Sequence, residues 1–453
     1  MHLWLENLGK NLIHMWQGKF KGGELDIGQP YRIADDTWEQ IGLETVAASA
    51  TIPSQFGRST PNVATQLYIF TAEDFGFWLL FLAPHLLKDR FPQRKFYDHF
   101  MLLNRILLIT LQFSFTLAEI EDLRELIIEW VTTYEKLYYQ YNVKRLKYCF
   151  LPLHALLHVP DDIINSGPPC NTWTFVMERW CLYMTNGVTS RAHPFTTLAF
   201  YVYHGAQLND IQSRYNLTDL LDISSSHDDD KLSIHPLSVL RSPRTLKFEP
   251  GRPLRQKICN YFSVLFAPLT VQDFDTLLPR VMPFWGKVRI IGRNESISST
   301  YGQRNRTGRV RDASYIRYGK EVDRNAHFRN LPIVLERRTC YGRLEAIIQC
   351  NVPSNGSPQL RQPELHLVAL VTECITNGAD AADGTLVTYT KMQQSSSLID
   401  LNLVESVVGR FQVGDSKNRR WAIIDRSDNL ARTIFTDPKP TPNPDSPDSD
   451  DIE

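Results

Sequence analysis

The stretch from Tyr148 to Pro194 concentrates residues that could hold a metal ion or move a proton. It contains three histidines, three cysteines, an adjacent pair of aspartates and a Met-Glu-Arg within an otherwise apolar helical pattern. Such side chains either pair with one another inside the fold or form a site whose surroundings tune their ionisation. Their spacing and neighbours must decide between these two interpretations.

His154 and His158 lie four residues apart, so a helix places both imidazoles on one face. Cysteines and aspartates occur nearby, but the spacing matches no tight zinc signature. Because Leu153, Leu156 and Leu157 flank the two histidines, we expect them to occupy core positions without a metal. A metal-dependent enzyme centred on this pair remains an alternative, which stoichiometric zinc in a clean preparation would support.

Glu178 follows Phe175-Val-Met and precedes Arg179 and Trp180. A carboxylate in an apolar, aromatic helix forms either a buried ion pair or part of a tuned site, and the residues alone favour the ion pair. The sequence has no Gly-rich phosphate loop, no Gly-x-Ser-x-Gly and no His-Glu-x-x-His. An enzymatic function therefore has no independent motif behind it.

A basic segment runs from Arg280 to Glu345, with 15 Lys or Arg against six Asp or Glu. Arginines neutralise phosphates and tyrosines stack on bases, so this segment is a candidate nucleic-acid contact. Its candidate residues are Arg304, Arg306, Arg309, Arg311, Arg317, Tyr315 and Tyr318. The alternative is a solvated basic loop, or one that pairs with the acidic linker or tail.

The bulk composition is that of a globular protein, with 43% hydrophobic residues and a net charge of −1. That charge directs the whole chain neither to nucleic acid nor to a membrane surface. The seven cysteines include no Cys-x-x-Cys pair, which favours reduced thiols and hence a soluble nuclear or cytoplasmic protein. We expect no signal peptide and no membrane span, since the apolar run from Phe75 to Pro84 is too short.

The order of hydrophobic patterns predicts an α+β protein. Apolar residues recur at helical spacing in the first half, and Thr71 and Thr116 each precede an acid by three residues, the spacing of a capping box. Short β-branched segments separated by turn residues follow from Leu344 and predict a small antiparallel barrel or sandwich. The expected regions are a helical bundle at 1–215, a flexible linker at 216–255, a basic mixed or irregular region at 256–333, a β-rich domain at 334–436 and a disordered acidic tail at 437–453.

Several motifs occur in an order that resembles a known family. They are MHLWLENLGKNLIHMWQGKF, FGRST, TAEDFGFWLLFLAPHLL, HALLHVPDDIINSGPPCNTWTFVMERW, RYGKEVDRNAHFRN and CYGRLEAII. Together they resemble the C-terminal portion of CACTA-type (En/Spm-like) DNA transposases, particularly those of fungi. The resemblance spans roughly residues 1 to 436.

This resemblance implies a ribonuclease-H-like core interrupted by a helical insertion, with acids that hold two Mg²⁺ or Mn²⁺ ions for DNA strand transfer. Glu178 matches the third acid of such a set, whereas the Asp of the family's Asp-x-Met-His motif would precede Met1. We therefore expect a truncated, vestigial transposase that binds no metal ion and retains at most DNA or protein binding.

Two alternatives to this expectation stay open. One is a nucleic-acid- or chromatin-binding module that a host nucleus has put to use. The other is an active metal-dependent strand-transfer enzyme whose start codon is mis-called. DNA is the candidate partner, protein partners are undefined, and we expect neither a membrane nor a small-molecule substrate.

Overall fold

The structure is a computed structural model. It describes residues 3–172, 175–215, 232–235, 238–290, 295–303, 311–325, 330, 332, 334–384, 386–414 and 418–427. Its helical N-terminal part and antiparallel C-terminal sheet make the protein α+β.

Helices occupy most of the described chain up to residue 215. The α-helices in the described residues are α1 (Lys10–Trp16), α2 (Asp35–Ala48), α3 (Ala72–Phe77), α4 (Ala83–Leu86), α5 (Arg94–Thr110), α6 (Leu117–Tyr134), α7 (Leu151–Ala155), α8 (Val159–Ser166), α9 (Phe175–Asn186), α10 (Pro194–Tyr215), α11 (Arg252–Leu265), α12 (Val271–Leu277) and α13 (Thr300–Gln303). π-helical turns at Leu3–Gly9, Trp78–Leu82 and Glu135–Tyr139 extend α1, join α3 to α4 and extend α6.

The two capping boxes that the sequence predicts are confirmed. The Thr71 hydroxyl accepts a hydrogen bond from the Asp74 amide at 3.3 Å, and the Thr116 hydroxyl accepts one from the Glu119 amide at 3.2 Å. In each box the acid in turn accepts a hydrogen bond from the threonine backbone N–H. These bonds satisfy donors that a helix start leaves unpaired, and so fix where α3 and α6 begin.

The strands form one large sheet and one small sheet. They are β1 (Leu232–His235), β2 (Ser238–Phe248), β3 (Met282–Ile290), β4 (Glu295–Ser298), β5 (Tyr315–Asp323), β6 (Leu335–Val352), β7 (Glu364–Glu373), β8 (Thr388–Tyr389), β9 (Ser397–Asp400), β10 (Val404–Val407), β11 (Gly409–Val413) and β12 (Arg420–Ile424). The large sheet has the order β1-β2-β3-β6-β5-β10, with β4 beside β3, β7 beside β6 and β9 beside β7. The small sheet has the order β11-β12-β8, and neighbouring strands in both sheets are antiparallel.

The large sheet has apolar cores on both of its faces. On one face, Phe262 and Phe274 from α11 and α12 pack with Ile348. On the other face, Ile347 belongs to the same core as Trp78 and other buried residues of the N-terminal helices. Since adjacent strand residues point to opposite faces, Ile347 and Ile348 belong to different cores. The helical part and the sheet therefore share one continuous core.

A segment between α2 and α3 fastens the helical part to the sheets. Thr51 pairs with Arg410 of β11: the Arg410 amide donates to the Thr51 carbonyl, and the Thr51 hydroxyl donates to the Arg410 carbonyl. Arg311 donates to the carbonyls of Ile52 at 2.6 Å and Gly57 at 2.5 Å. These hydrogen bonds hold the two regions in a fixed relation.

The sheet crosses the region boundaries that the sequence suggests. Strand β2 lies within the predicted linker at 216–255, and β3 and β5 lie within the predicted irregular region at 256–333. Both β2 and β3 carry several basic residues, and β2 also contains Pro243, which hides the alternation of a strand. Pairing with a strand distant in sequence stabilises β3 despite this weak local pattern, since Phe284 and Trp285 lie opposite Ile348 and Ile347 of β6.

The predictions of a disordered tail at 437–453 and of a flexible linker in its acidic part, 216–231, lie outside the described residues. Within the described chain, no helix is both long and apolar enough to cross a membrane.

Candidate functional site

The start of the chemistry-rich stretch is built into a buried polar network. The phenol of Tyr148 and that of Tyr31, at 2.6 Å, both donate to the Asp26 carboxylate, which also accepts from the Phe20 amide at 3.1 Å. Arg145 donates to the Tyr31 oxygen, and its guanidinium lies 4.1 Å from the centre of the Tyr148 ring. Burial and the bond to Asp26 raise the pKa of Tyr148 to about 12. Because both Asp26 oxygens accept hydrogen bonds, this carboxylate supports the fold rather than a ligand.

His154 and His158 are exposed, so the expectation that they occupy core positions is wrong. Their Nε2 atoms lie 3.2 Å apart on the surface, while the neighbouring Leu153 and Leu156 are buried. Helical spacing explains the error, because the leucines and the histidines alternate between two faces of the α7–α8 turn. Nowhere among the described residues do three or more His, Cys, Asp or Glu side chains group as they would around a metal ion.

Glu178, the predicted vestigial acid, lies on α9, but its side chain falls outside what the structure describes. Its exposed neighbours on that helix are Met177 and Trp180, with 62% and 49% of their surfaces accessible. The Trp180 ring stacks on Tyr183 at 5.0 Å, and Tyr183 packs against Tyr201 of α10 at 4.8 Å. Aromatic contacts thus pair α9 with α10.

The nucleic-acid candidates divide into three that the structure does not describe and four that it places inside the fold. Arg304, Arg306 and Arg309 lie outside the described residues. Tyr315 and Tyr318 are buried, with 2% and 0% of their surfaces accessible, so neither ring is open to a base.

The two described arginines of the set are held by protein groups. Arg317 forms ion pairs with Asp425 at 2.9 Å and Glu405 at 3.0 Å, and lies 3.6 Å from Asp380. Arg311 is half-buried on the Ile52–Gly57 segment, and burial lowers the pKa of its guanidinium. In this conformation neither arginine is presented to a phosphate.

Acids from later in the chain offset other charges of the basic segment. Lys320 pairs with Glu373 at 3.2 Å, and Arg337 pairs with Glu405 at 2.8 Å. These acids belong to β7 and β10, whereas the acidic part of the linker and the acidic tail that the sequence offers as partners lie outside the described residues. Ion pairs with these acids therefore neutralise part of the positive charge of the basic segment.

A series of exposed large apolar residues lies on α9 and α10, a region for which the sequence predicts a helical bundle. α10 is 22 residues long and contains no buried residue. The exposed large apolar residues of this helix pair and its connection are Met177, Trp180, Val188, Phe195, Phe200, Tyr201, Tyr203, Leu208, Ile211 and Tyr215. The signal was present in the sequence, since residues 194–215 include only Asp210 and Arg214 as formal charges.

The fold and this surface define the chain as an α+β protein with a helical part fused through a shared core to an antiparallel sheet, from which an aromatic helix pair presents apolar side chains to solvent. No protein-family model matches the chain, and neither a curated protein nor a solved structure is significantly similar to it.

Proposed function

We propose that this chain is a transposon-derived protein of the CACTA transposase type that acts by binding a protein partner through α9 and α10 rather than by cutting DNA. The ordered motifs from residue 1 to 436 support the origin. The observation that carries the binding role is α10, an apolar helix with no buried residue.

An apolar helix with no buried residue in the described part of the chain favours a protein partner. A helix that is hydrophobic around much of its circumference is normally buried, and large exposed apolar patches mark interaction surfaces. Phe195 and Tyr215, near the two ends of α10, are 83% and 70% exposed. The patch therefore extends over the whole helix.

The state of the basic segment favours a protein partner over nucleic acid. Tyr315 and Tyr318 are buried, and Arg317 is surrounded by three carboxylates. Displacing these acids for a phosphate would leave buried charges unpaired, which costs several kcal/mol, about 3–5. A nucleic acid whose phosphate contacts Arg317 would have to overcome that cost.

A DNA-cleavage assay with the purified full chain tests the proposal. Supercoiled plasmid is incubated with protein and Mg²⁺ or Mn²⁺, and we expect no nicking above the metal-free reaction. Metal-dependent cleavage that Glu178→Gln abolishes, while the exposed Glu129→Gln on α6 leaves it intact, would establish the active enzyme instead.

A parallel binding measurement separates the two kinds of partner. Fluorescence anisotropy of labelled duplex DNA is followed as salt increases, and we expect weak binding with a shallow salt dependence. Tight binding that falls steeply with salt would show release of counterions from phosphates and would favour the nucleic-acid-binding module.

A further inference from the structure

The exposed residues of α10 follow the spacing of a coiled-coil seam. Tyr201, His204, Leu208, Ile211 and Tyr215 are separated by alternating intervals of three and four residues, all on one side of the helix. This is the pattern of a and d positions, through which two helices interlock side chains. We call these five residues the α10 seam.

Most of the seam is exposed among the described residues. Leu208 is 53% exposed, Ile211 is 42% exposed and Tyr215 is 70% exposed, and His204 is also exposed. α9 contacts α10 through Tyr201, at the N-terminal end of the seam, where the Tyr183 and Tyr201 rings lie 4.8 Å apart. The rest of the seam, from His204 to Tyr215, is exposed, and a further helix can lie there.

We infer that the occupant of the seam is α10 of a second copy of this chain. This inference rests on the proposed function and names its partner. A two-fold axis through the seam lets both copies bury the same residues at once, which is how most homodimers form.

The charges on α10 permit this self-association. Asp210 and Arg214 are the only formal charges of the helix, and they pair with each other at 2.9 Å. Arg214 lies beside the seam but is paired with Asp210, and the other positions beside it, including Gly205, Gln207 and Gln212, are uncharged. Two copies thus meet without like-charge repulsion, whereas a strongly acidic or basic partner would find no complementary charge.

The available area fits a dimer. A large apolar side chain buries roughly 150–250 Å², so the exposed fractions of the seam residues together with Phe200 amount to about 500 Å². Two copies joined through this face would together bury about 1,000 Å², the area at which an interface becomes large enough to be biological. The face is therefore large enough for a small dimer interface.

Sedimentation equilibrium and light scattering on the full chain test this inference. We expect a dimer at micromolar concentration that dissociates at least 100-fold more readily in the double variant Leu208→Glu/Ile211→Glu. The matched control is Ala206→Glu, which adds a charge to the exposed opposite side of the same helix and leaves the dimer intact. Circular dichroism and urea unfolding show whether each variant keeps its fold.

A cross-link gives a second readout that does not depend on stability. Leu208 lies at the middle of the seam, so the two Leu208 positions meet in either relative orientation of the helices. The background is a variant in which serine replaces the accessible Cys149, Cys170 and Cys181. In this background we expect Leu208→Cys to form a disulfide-linked dimer on mild oxidation. The matched control Ser213→Cys, at an exposed position on the far side of α10, should form none.

Three results would overturn the inference: a monomeric wild type at tens of micromolar, a dimer that survives Leu208→Glu/Ile211→Glu, or a different protein on the seam. A monomer that also fails to nick DNA would remove the second copy and leave the proposed binding role. Glu178-dependent nicking would remove the proposed function without bearing on the dimer.

Discussion

At the scale of single residues, two buried histidines give the fold a sensitivity to acid that can be tested. The His99 ring stacks on Trp130 at 4.7 Å, and its Nε2 lies 3.1 Å from the Trp130 carbonyl, to which it donates. His85 meets the edge of Phe411 at 5.7 Å. Burial lowers the pKa of His99 to about 4, while burial and the nearby charges of Arg420 and Lys88 lower that of His85 to about 3.

We expect acid to destabilise the protein through these two groups. Both folded pKa values lie below the unfolded value of about 6.5, so the unfolded chain binds more protons below that pH. Their contribution is complete above pH ~6.5 and is lost as the pH falls towards 4, by about 2 kcal/mol per histidine at pH 5. Urea unfolding at pH 7 and pH 5 measures the loss.

Two substitutions separate this effect from general acid denaturation. His85→Met removes one titrating group from an apolar site and should reduce the loss between pH 7 and 5 by about 2 kcal/mol. His193→Gln changes an exposed histidine and should leave the loss unchanged. An identical pH profile for all three proteins would contradict the assignment.

At the scale of elements, the capping boxes give a direct measure of what a local motif contributes. We expect Thr116→Ala to lower the free energy of unfolding by about 1 kcal/mol, because the Glu119 amide at the start of α6 loses its acceptor. Thr116→Ser keeps the hydroxyl and should stay within a few tenths of a kcal/mol of the wild type. Equal stability of the alanine and serine variants would show that α6 begins without the cap.

The elements also show what the sequence could and could not predict. Thr71 and Thr116 were found because a capping box is a local pattern, and the apolar segments from Leu344 onward, within β6 and β7, were found by their β-branched residues. Strand β2 could not be predicted in this way, because its local pattern is poor and its pairing with β3 stabilises it.

Exposure was the property that sequence patterns predicted least well. Tyr315 and Tyr318 are typical of a stacking surface by type and neighbours, but they lie on β5 between β6 and β10 and are buried. The apolar residues of α10 are typical of a core, but they are exposed. Which face of a helix or strand is buried depends on partners that are distant in sequence. The spacing of residues within that helix or strand carries no information about those partners.

At the scale of the whole molecule, Arg311 tests whether the basic segment serves the fold or a nucleic acid. We expect Arg311→Met to lower the free energy of unfolding by about 1.5–3 kcal/mol, since it removes charged hydrogen bonds and leaves the Ile52 and Gly57 carbonyls unpaired. Arg324→Met, at an exposed position, should change stability by less than about 0.5 kcal/mol.

Paired measurements of unfolding and DNA binding distinguish the two roles. A structural Arg311 changes stability and leaves DNA affinity as it is. If Arg311→Met instead weakens DNA binding at unchanged stability, the nucleic-acid prediction for this residue gains support and the structural role is wrong.

The contact between Arg311 and Gly57 has a consequence for synthesis of the protein. Its two residues are 254 positions apart. At roughly 5–20 residues per second, a ribosome needs on the order of 10–50 s after making one to make the other. At the end of that interval the helices have been made while strands β5 to β12 have not, so the apolar side chains that pack against those strands still lack their partners.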